Sequence, residues 1–230
     1  MRVDIITAFP EMMREPLNTS IPARAAQKGV VSYHVHDLRE YTEDKHRQID
    51  DIPYGGGPGM ILKPEPLFRA VESLRLECDA HNGCEVIFPT PQGKTYTQET
   101  AEELSRFEHL IFICGHYKGV DERVRDHLVT QEISIGDFVM SGGEIPVLAI
   151  VDSIVRLMPG VLQDPDSAAT DSFSDKLLDG PHYTRPAEFR GMKVPEILRS
   201  GHHEKIAEWR KERREQRTRD RRGDLFANRS

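Results

Sequence analysis

A chain of 230 residues with 37% apolar content can bury a real core, as one large domain or as a larger domain with a small appendage. No apolar run approaches the roughly 20 residues of a membrane span. Three cysteines (Cys78, Cys84, Cys114) without a paired C-x-x-C argue against a disulfide framework or zinc ribbon, and for a reducing cytoplasm. The net charge of −7 argues against a generally basic nucleic-acid binder, yet between Arg199 and Arg222 ten Lys/Arg stand against five Asp/Glu, a local +5 that leaves −12 elsewhere.

In chain order, "RVDIITAF" (2–9) reads as a first strand rather than a signal peptide, and "VVSYHVHDL" (30–38) as a second, with helix-forming "PARAAQKG" between them. Residues 40–62 are polar and glycine-rich, hence a long loop. Pro64 opens a helix with Leu67, Val71 and Leu74 on one face. "CEVIFPT" (84–90) is a buried strand expected to stop at Pro89 and Pro91; "QETAEELSRF" is a helix, and "HLIFIC" (109–114) another buried strand. A strand at 132–137 and a long helix at 144–158 complete an alternating β/α pattern. The fold class is α/β, with a mostly parallel sheet and helices on both faces. Beyond Pro159, few apolar positions and many turn formers mark a linker, followed by a small helical segment anchored by Leu198, Ile206 and Trp209.

Three loops leave the ends of successive strands: "TPQGK" (90–94), "CGHYKG" (114–119) and "IGDFVMSGG" (135–143). Ligands of open α/β sheets bind beyond the carboxyl ends of strands, so three such loops can wall one pocket. Glycine allows close backbone approach, and Tyr117 and Phe138 offer apolar faces. Any one loop is also consistent with an ordinary turn. Neither G-x-G-x-x-G nor G-K-[ST] is present, and the glycine-rich "YGGGPGM" (54–60) lacks the Lys-Ser/Thr of a phosphate loop. Asp50 and Asp51 are adjacent carboxylates, more often solvated than metal-binding, and the histidines show no H-x-x-x-H spacing, so no metal ligand is assigned.

"YGGGPGM", "TPQGK", "CGHYKGVDERV", "IGDFVMSGGE" and "DSF…LLDGPHYTRP", in that order, resemble the bacterial tRNA (guanine-N1-)-methyltransferase family TrmD, of the SPOUT class, over nearly the whole chain. The resemblance implies a deep trefoil knot over residues 1–159 and a helical tRNA-binding domain at 177–230; the segment 160–176 between them, which lacks apolar anchors, is expected to be a flexible linker. It implies a cytoplasmic homodimer with its sites at the subunit interface, no membrane, and tRNA as partner. The reaction would be transfer of the methyl group of S-adenosylmethionine to N1 of the guanosine just 3′ of the anticodon, position 37. Backbone at Gly115 and from Ile135 through Gly136, Asp137, Phe138 and Val139 to Met140 would hold the cofactor, with Pro91, Tyr117, Gly142 and Gly143 closing the pocket. Tyr54, Gly55 and Gly59 would frame the guanine. Mg2+ is left open as a second cofactor.

The chemistry makes its own demands. Guanine N1 carries a proton at neutral pH, so its methylation needs a base, and negative charge developing on O6 calls for a cation. The family pattern places the base at Asp171 and the cation at Arg156. Read alone, Asp171 is an N-cap or turn residue and Arg156 a surface helix arginine. Many family members carry Arg and Glu where this chain has His116 and Lys118, which inverts a charge beside the cofactor and puts an acid role there in doubt. Two other readings fit parts of the sequence: a ribose 2′-O-methyltransferase of the same class, and a non-catalytic RNA-binding module. The presence of the glycine loops together with Asp171 and Arg156 favours the guanine N1 reading.

Overall fold

The computed structural model describes residues 1–78, 84–162 and 171–227. The chain divides into two compact units, Met1–Gln163 and Asp164–Ser230. In the first, strands β1 (Arg2–Thr7), β2 (Ser32–Asp37), β5 (Glu85–Thr95), β6 (His109–Ile113) and β7 (Gln131–Ser134) form one parallel sheet in the order β2-β1-β6-β5-β7.

Side chains alternate across this sheet, and both faces are covered, which is why β6 is buried along its whole length. Val3, Ile5, Leu110 and Phe112 pack on one face with Met13 and Leu17 of α1 (Glu11–Leu17), Ala25 of α2 (Ser20–Gln27), Leu104 of α4 (Gln98–Leu104) and Ile150 and Ile154 of α6 (Glu144–Val155). Ile6, Val86, Ile111 and Ile113 pack on the other with Leu67, Val71 and Leu74 of α3 (Pro64–Arg75) and Val124 of α5 (Glu122–His127). Each fully buried Leu or Ile contributes about 1.5–3 kcal/mol. Local signals start the helices as read: Pro64 is the first residue of α3, and the Thr97 hydroxyl caps α4 by accepting the Thr100 N–H at 3.3 Å.

The structure departs from the sequence reading at four places in this unit. The helix α1 carries Pro16 inside it and is only seven residues long, so neither propensity nor periodicity signals it. β5 does not stop at the prolines but continues to Thr95: Pro89 and Lys94 both pair with Ile133, so the prolines sit at a register break where no ladder N–H is needed. The long loop contains a two-residue hairpin, β3 (Asp50–Asp51) against β4 (Ile61–Leu62). Cys78 and Cys84 are joined by a disulfide, against expectation; their Cα atoms lie 5.9 Å apart, inside the bridging range. Cys114 is free and buried.

The second unit is built around α7 (His203–Arg221), with a short hairpin of β8 (Glu188–Phe189) and β9 (Met192–Lys193) and a final turn of helix, α8 (Asp224–Ala227). Of the segment read as a linker, 163–170 lie outside the described residues. Residues 171–176 differ from the expectation of a stretch without anchors, because the anchors are ionic and aromatic rather than apolar. Arg214 forks onto Asp175 at 2.6 and 2.9 Å, and Arg222 lies over the Phe173 ring. Thr218, fully buried, accepts the Leu178 N–H at 2.9 Å, and Arg217 donates to the carbonyls of Asp179 and Gly180 at 3.0 and 2.8 Å. Part of the basic segment therefore organises its own unit.

Candidate active site

Three stretches of the first unit converge at one end of the sheet: Phe88–Gln92 of β5, Gly115–Val120 after β6, and Ile133–Gly142, from the end of β7 onward. They enclose a cavity of about 470 Å³, within the range of small-molecule sites.

Glycine is what allows the stretches to approach so closely. A Cβ on Gly143 would lie 2.8 Å from the Cys114 Cα and 2.9 Å from the Gly115 nitrogen, and the Gly143 N–H donates to the Gly115 carbonyl at 2.8 Å. A Cβ on Gly136, at φ +148°, would strike the Phe138 ring at 2.5 Å, because that ring folds back over the turn. The Ser134 hydroxyl ties the turn by donating to the Gly136 carbonyl at 3.0 Å. Behind the cavity, Glu144 is buried in the first turn of α6, where the helix dipole favours a carboxylate, and it accepts the Thr7 hydroxyl at 2.6 Å. Burial, with the nearby Glu144 charge, pushes the Cys114 thiol well up.

Pro91, Gly115, Tyr117, Ile135, Gly136, Phe138, Val139, Met140 and Gly142 all line the cavity. Asp137 and Gly143 do not: Asp137 is exposed, and Gly143 packs behind, on Cys114 and Gly115. Tyr54 is fully exposed and outside the cavity. The loop of Gly55 and Gly59, both at positive φ, reaches the wall indirectly: the Lys118 N–H donates to the Met60 carbonyl at 3.0 Å, and Ile61 and Lys118 line the cavity. Arg156 caps the far end of α6, roughly 20 Å from Gly143 at 1.5 Å per residue, so one chain does not bring it to the cavity. Asp171 belongs to the second unit, where its carbonyl accepts the N–H and hydroxyl of Ser174 at 3.4 and 2.8 Å and opens a turn.

Residues 1–228 match the family described as tRNA (Guanine-1)-methyltransferase TrmD. The chain belongs to this family. Among its relatives, a protein of Brevibacillus brevis named tRNA (guanine-N(1)-)-methyltransferase is 56% identical over 226 residues, covering 98% of this chain and 91% of the relative. Proteins of the same name from Bacillus subtilis and Halalkalibacterium halodurans are 54% and 53% identical, covering 98% and 100% of this chain and 92% of each relative.

His116 and Lys118 take definite places at the cavity. The His116 ring packs 4.6 Å from Phe9 and 4.7 Å from Tyr117, and its buried Nδ1 has no hydrogen-bond partner among the described residues. A Cβ on Gly142 would lie 2.7 Å from that Nδ1 and 2.4 Å from Glu144 Oε2, so imidazole and carboxylate both crowd this position and a larger residue would have to displace them. Lys118 lines the cavity. Sequence reading missed Thr7 and Glu144 behind the pocket and the charged wall of Glu122 and Arg125. Arg125 forks onto Glu132 at 2.7 and 2.8 Å and reaches Glu122 at 3.1 Å; the i,i+3 spacing in "DERVR" was the available signal. Among the described residues no group of three or more His, Cys, Asp or Glu stands together as metal ligands, and no helix is long and apolar enough to cross a membrane.

Proposed function

We infer that this protein transfers the methyl group of S-adenosylmethionine to N1 of the guanosine at position 37 of tRNA, beside the anticodon, in the cytoplasm. Family membership along the whole chain, with the motif order quoted above, carries the reading. The cavity suits the cofactor. Gly136 and Gly142 leave cradles that a Cβ would fill, Phe138 and Tyr117 offer rings for an adenine, and backbone of three stretches supplies polar groups. S-adenosylmethionine supplies an electrophilic methyl group when bound. The remaining work falls to the chain: Asp171 accepts the N1 proton, and Arg156 stabilises the charge that develops on O6. No Mg2+ site is assigned.

The reading includes a homodimer. Arg156 stands about the length of α6 from its own cavity, so it serves as the cation at the partner's cavity or not at all. Val139 and Ile145, 86% and 49% exposed near the cavity mouth, are apolar surface suited to burial against a second copy. The deep trefoil knot belongs to the same reading; its support is the close backbone packing of Gly143 on Cys114 and of Gly93 on Glu132 and Ile133. The exposed cations of α7 are assigned to the RNA backbone, and the target base is assigned a flipped-out position, because N1 is unreachable in a stack.

The test uses labelled S-adenosylmethionine and tRNA transcripts carrying G or A at position 37, with Asp171→Asn beside the wild type. Methylation of the G transcript alone, with a loss of about 10²–10⁴-fold in the variant, supports the assignment. Labelling of both transcripts, or full activity without the carboxylate, overturns it.

A further inference from the structure

At the other end of β6 from the cavity lies a second constellation, which the methyl-transfer reading leaves unused. Asp4 is completely buried on the α3-facing side of β1, the side that carries Ile6. Its Oδ2 accepts from His109 Nε2 at 2.6 Å and from Arg2 Nε at 2.7 Å; its Oδ1 accepts from His36 Nε2 at 2.6 Å and from Arg2 Nη2 at 3.1 Å. Burial alone would push this carboxyl up, but the hydrogen bonds from His109, His36 and Arg2 outweigh it and hold the group well below the usual carboxylate range.

An ionised carboxylate only accepts, so both imidazoles must present Nε2–H to it. A neutral ring then carries its lone pair on Nδ1. For His36 that lone pair meets the Tyr41 hydroxyl at 3.1 Å. For His109 it meets the sulfur of Cys78 at 3.3 Å. Sulfur, imidazole and buried carboxylate thus stand in the order of nucleophile, base and orienting group. Among the described residues, the charged side chains paired with this cluster are Arg2, held between Asp4 and Glu77, and Glu77 itself, two residues past α3. Cys78 and Cys84 are both half-buried and within reach of a small solute, whereas Cys114 is closed off.

We propose that Cys78, His109 and Asp4 form a thiol-activating relay that makes Cys78 the protein's site of hydroperoxide oxidation, with Cys84 as the resolving thiol. In the reduced chain the Cys78 proton passes to His109 Nδ1, giving a thiolate beside an imidazolium whose other N–H stays on Asp4. The thiolate attacks one oxygen of hydrogen peroxide: an S–O bond forms, the O–O bond breaks, and the departing hydroxide takes the imidazolium proton and leaves as water. Sulfur is oxidised to the sulfenic acid and the peroxide is reduced. Cys84 sulfur then attacks Cys78 sulfur; the S–S bond forms, the S–O bond breaks, and hydroxide leaves with the Cys84 proton as a second water. The product is the Cys78–Cys84 bridge present in the structure.

The test uses the full chain carrying Cys84→Ser, fully reduced, with folding checked by circular dichroism. Iodoacetamide labelling of Cys78 is followed by peptide mass spectrometry from about pH 5 to pH 9, in the folded protein and in the same protein unfolded in urea. The relay places the folded midpoint at least one pH unit below the ordinary thiol value of about 8.5, with Cys114 unlabelled as internal control. Hydrogen peroxide should convert folded Cys78 to a dimedone-reactive sulfenic acid at least about tenfold faster than the unfolded thiol. A second variant, His109→Gln, should return the midpoint to the unfolded value. A folded midpoint equal to the unfolded one, or equal oxidation rates in the two states, overturns the relay, and neither comparison depends on His109→Gln folding.

Discussion

Replacing Gly143 by alanine tests whether the cavity depends on backbone held against backbone. Gly143 sits at φ −83° and ψ −9°, which any residue adopts, so the substitution carries no torsional strain and its effect is steric. The new methyl group would lie 2.8 Å from the Cys114 Cα and 2.9 Å from the Gly115 nitrogen, both backbone atoms that cannot rotate away. Forcing in one methyl costs about 1–3 kcal/mol, and stretching the 2.8 Å bond from Gly143 N–H to the Gly115 carbonyl adds about 0.5–1.5 kcal/mol. For a unit of this size, the combined loss of about 1.5–4.5 kcal/mol lowers the melting temperature by roughly 3–18 °C. If the displaced turn forfeits one backbone contact to the cofactor, of about 1.4 kcal/mol, Kd for S-adenosylmethionine rises about tenfold. Calorimetric titration and thermal unfolding read the two effects. Gly160→Ala is the control: its glycine has positive φ but nothing within 4 Å, so it should lose about 1–2 kcal/mol of stability and leave cofactor affinity unchanged. Binding within twofold of wild type, with an unchanged melting temperature, refutes the steric argument.

Asp4→Asn should lower stability at pH 7 by about 3–5 kcal/mol in urea titrations, because Arg2 and two imidazoles lose a buried charge partner. The sign in pH follows from the depressed carboxyl: its contribution is complete above the ordinary value of 3.8 and disappears as pH falls through the lower folded value, so wild type should show an acid slope that the variant lacks. Phe138→Ala removes the ring over Gly136 and should raise Kd for S-adenosylmethionine about 5–20-fold in the same titration, by loss of one stacking face. Arg214→Ala breaks the fork onto Asp175 and should cost about 1 kcal/mol, since Asp175 is half exposed. Its clearer signature is faster amide exchange at Leu177 and Leu178, while β1 and β6 stay protected.

The alternating β/α pattern was legible because β1, β5 and β6 each carry a short apolar run and α3 and α4 begin at a proline and a threonine cap. β5 was cut short because proline normally ends a ladder, and only tertiary pairing reveals that Pro89 and Pro91 occupy a register break. The three glycine-bearing loops pointed to a pocket, but spacing cannot say which glycines face the ligand; Gly142 lines the cavity, and Gly143 packs behind it. Arg156 was readable as a residue type and not as a position, since a helix length separates it from its own cavity. The Asp4 cluster was invisible for a related reason: Asp4, His36 and His109 come from three strands, and no sequence window holds them together.

The strand order also governs how the chain emerges from the ribosome. β1 and β2 are complete by Asp37, but the partner for the other edge of β1 begins only at His109. At about 5–20 residues per second, roughly 70 residues of delay leave that edge unpaired for about 4–14 seconds. An open apolar edge is an invitation to pair with the wrong neighbour, and an inward-pointing charge is one way to discourage it. Asp4 lies in the middle of β1, and until His109 arrives its carboxylate is a poor guest for any foreign strand. The residue that later ties β1 to β2 and β6 thus also makes the nascent strand a poorer partner for anything else.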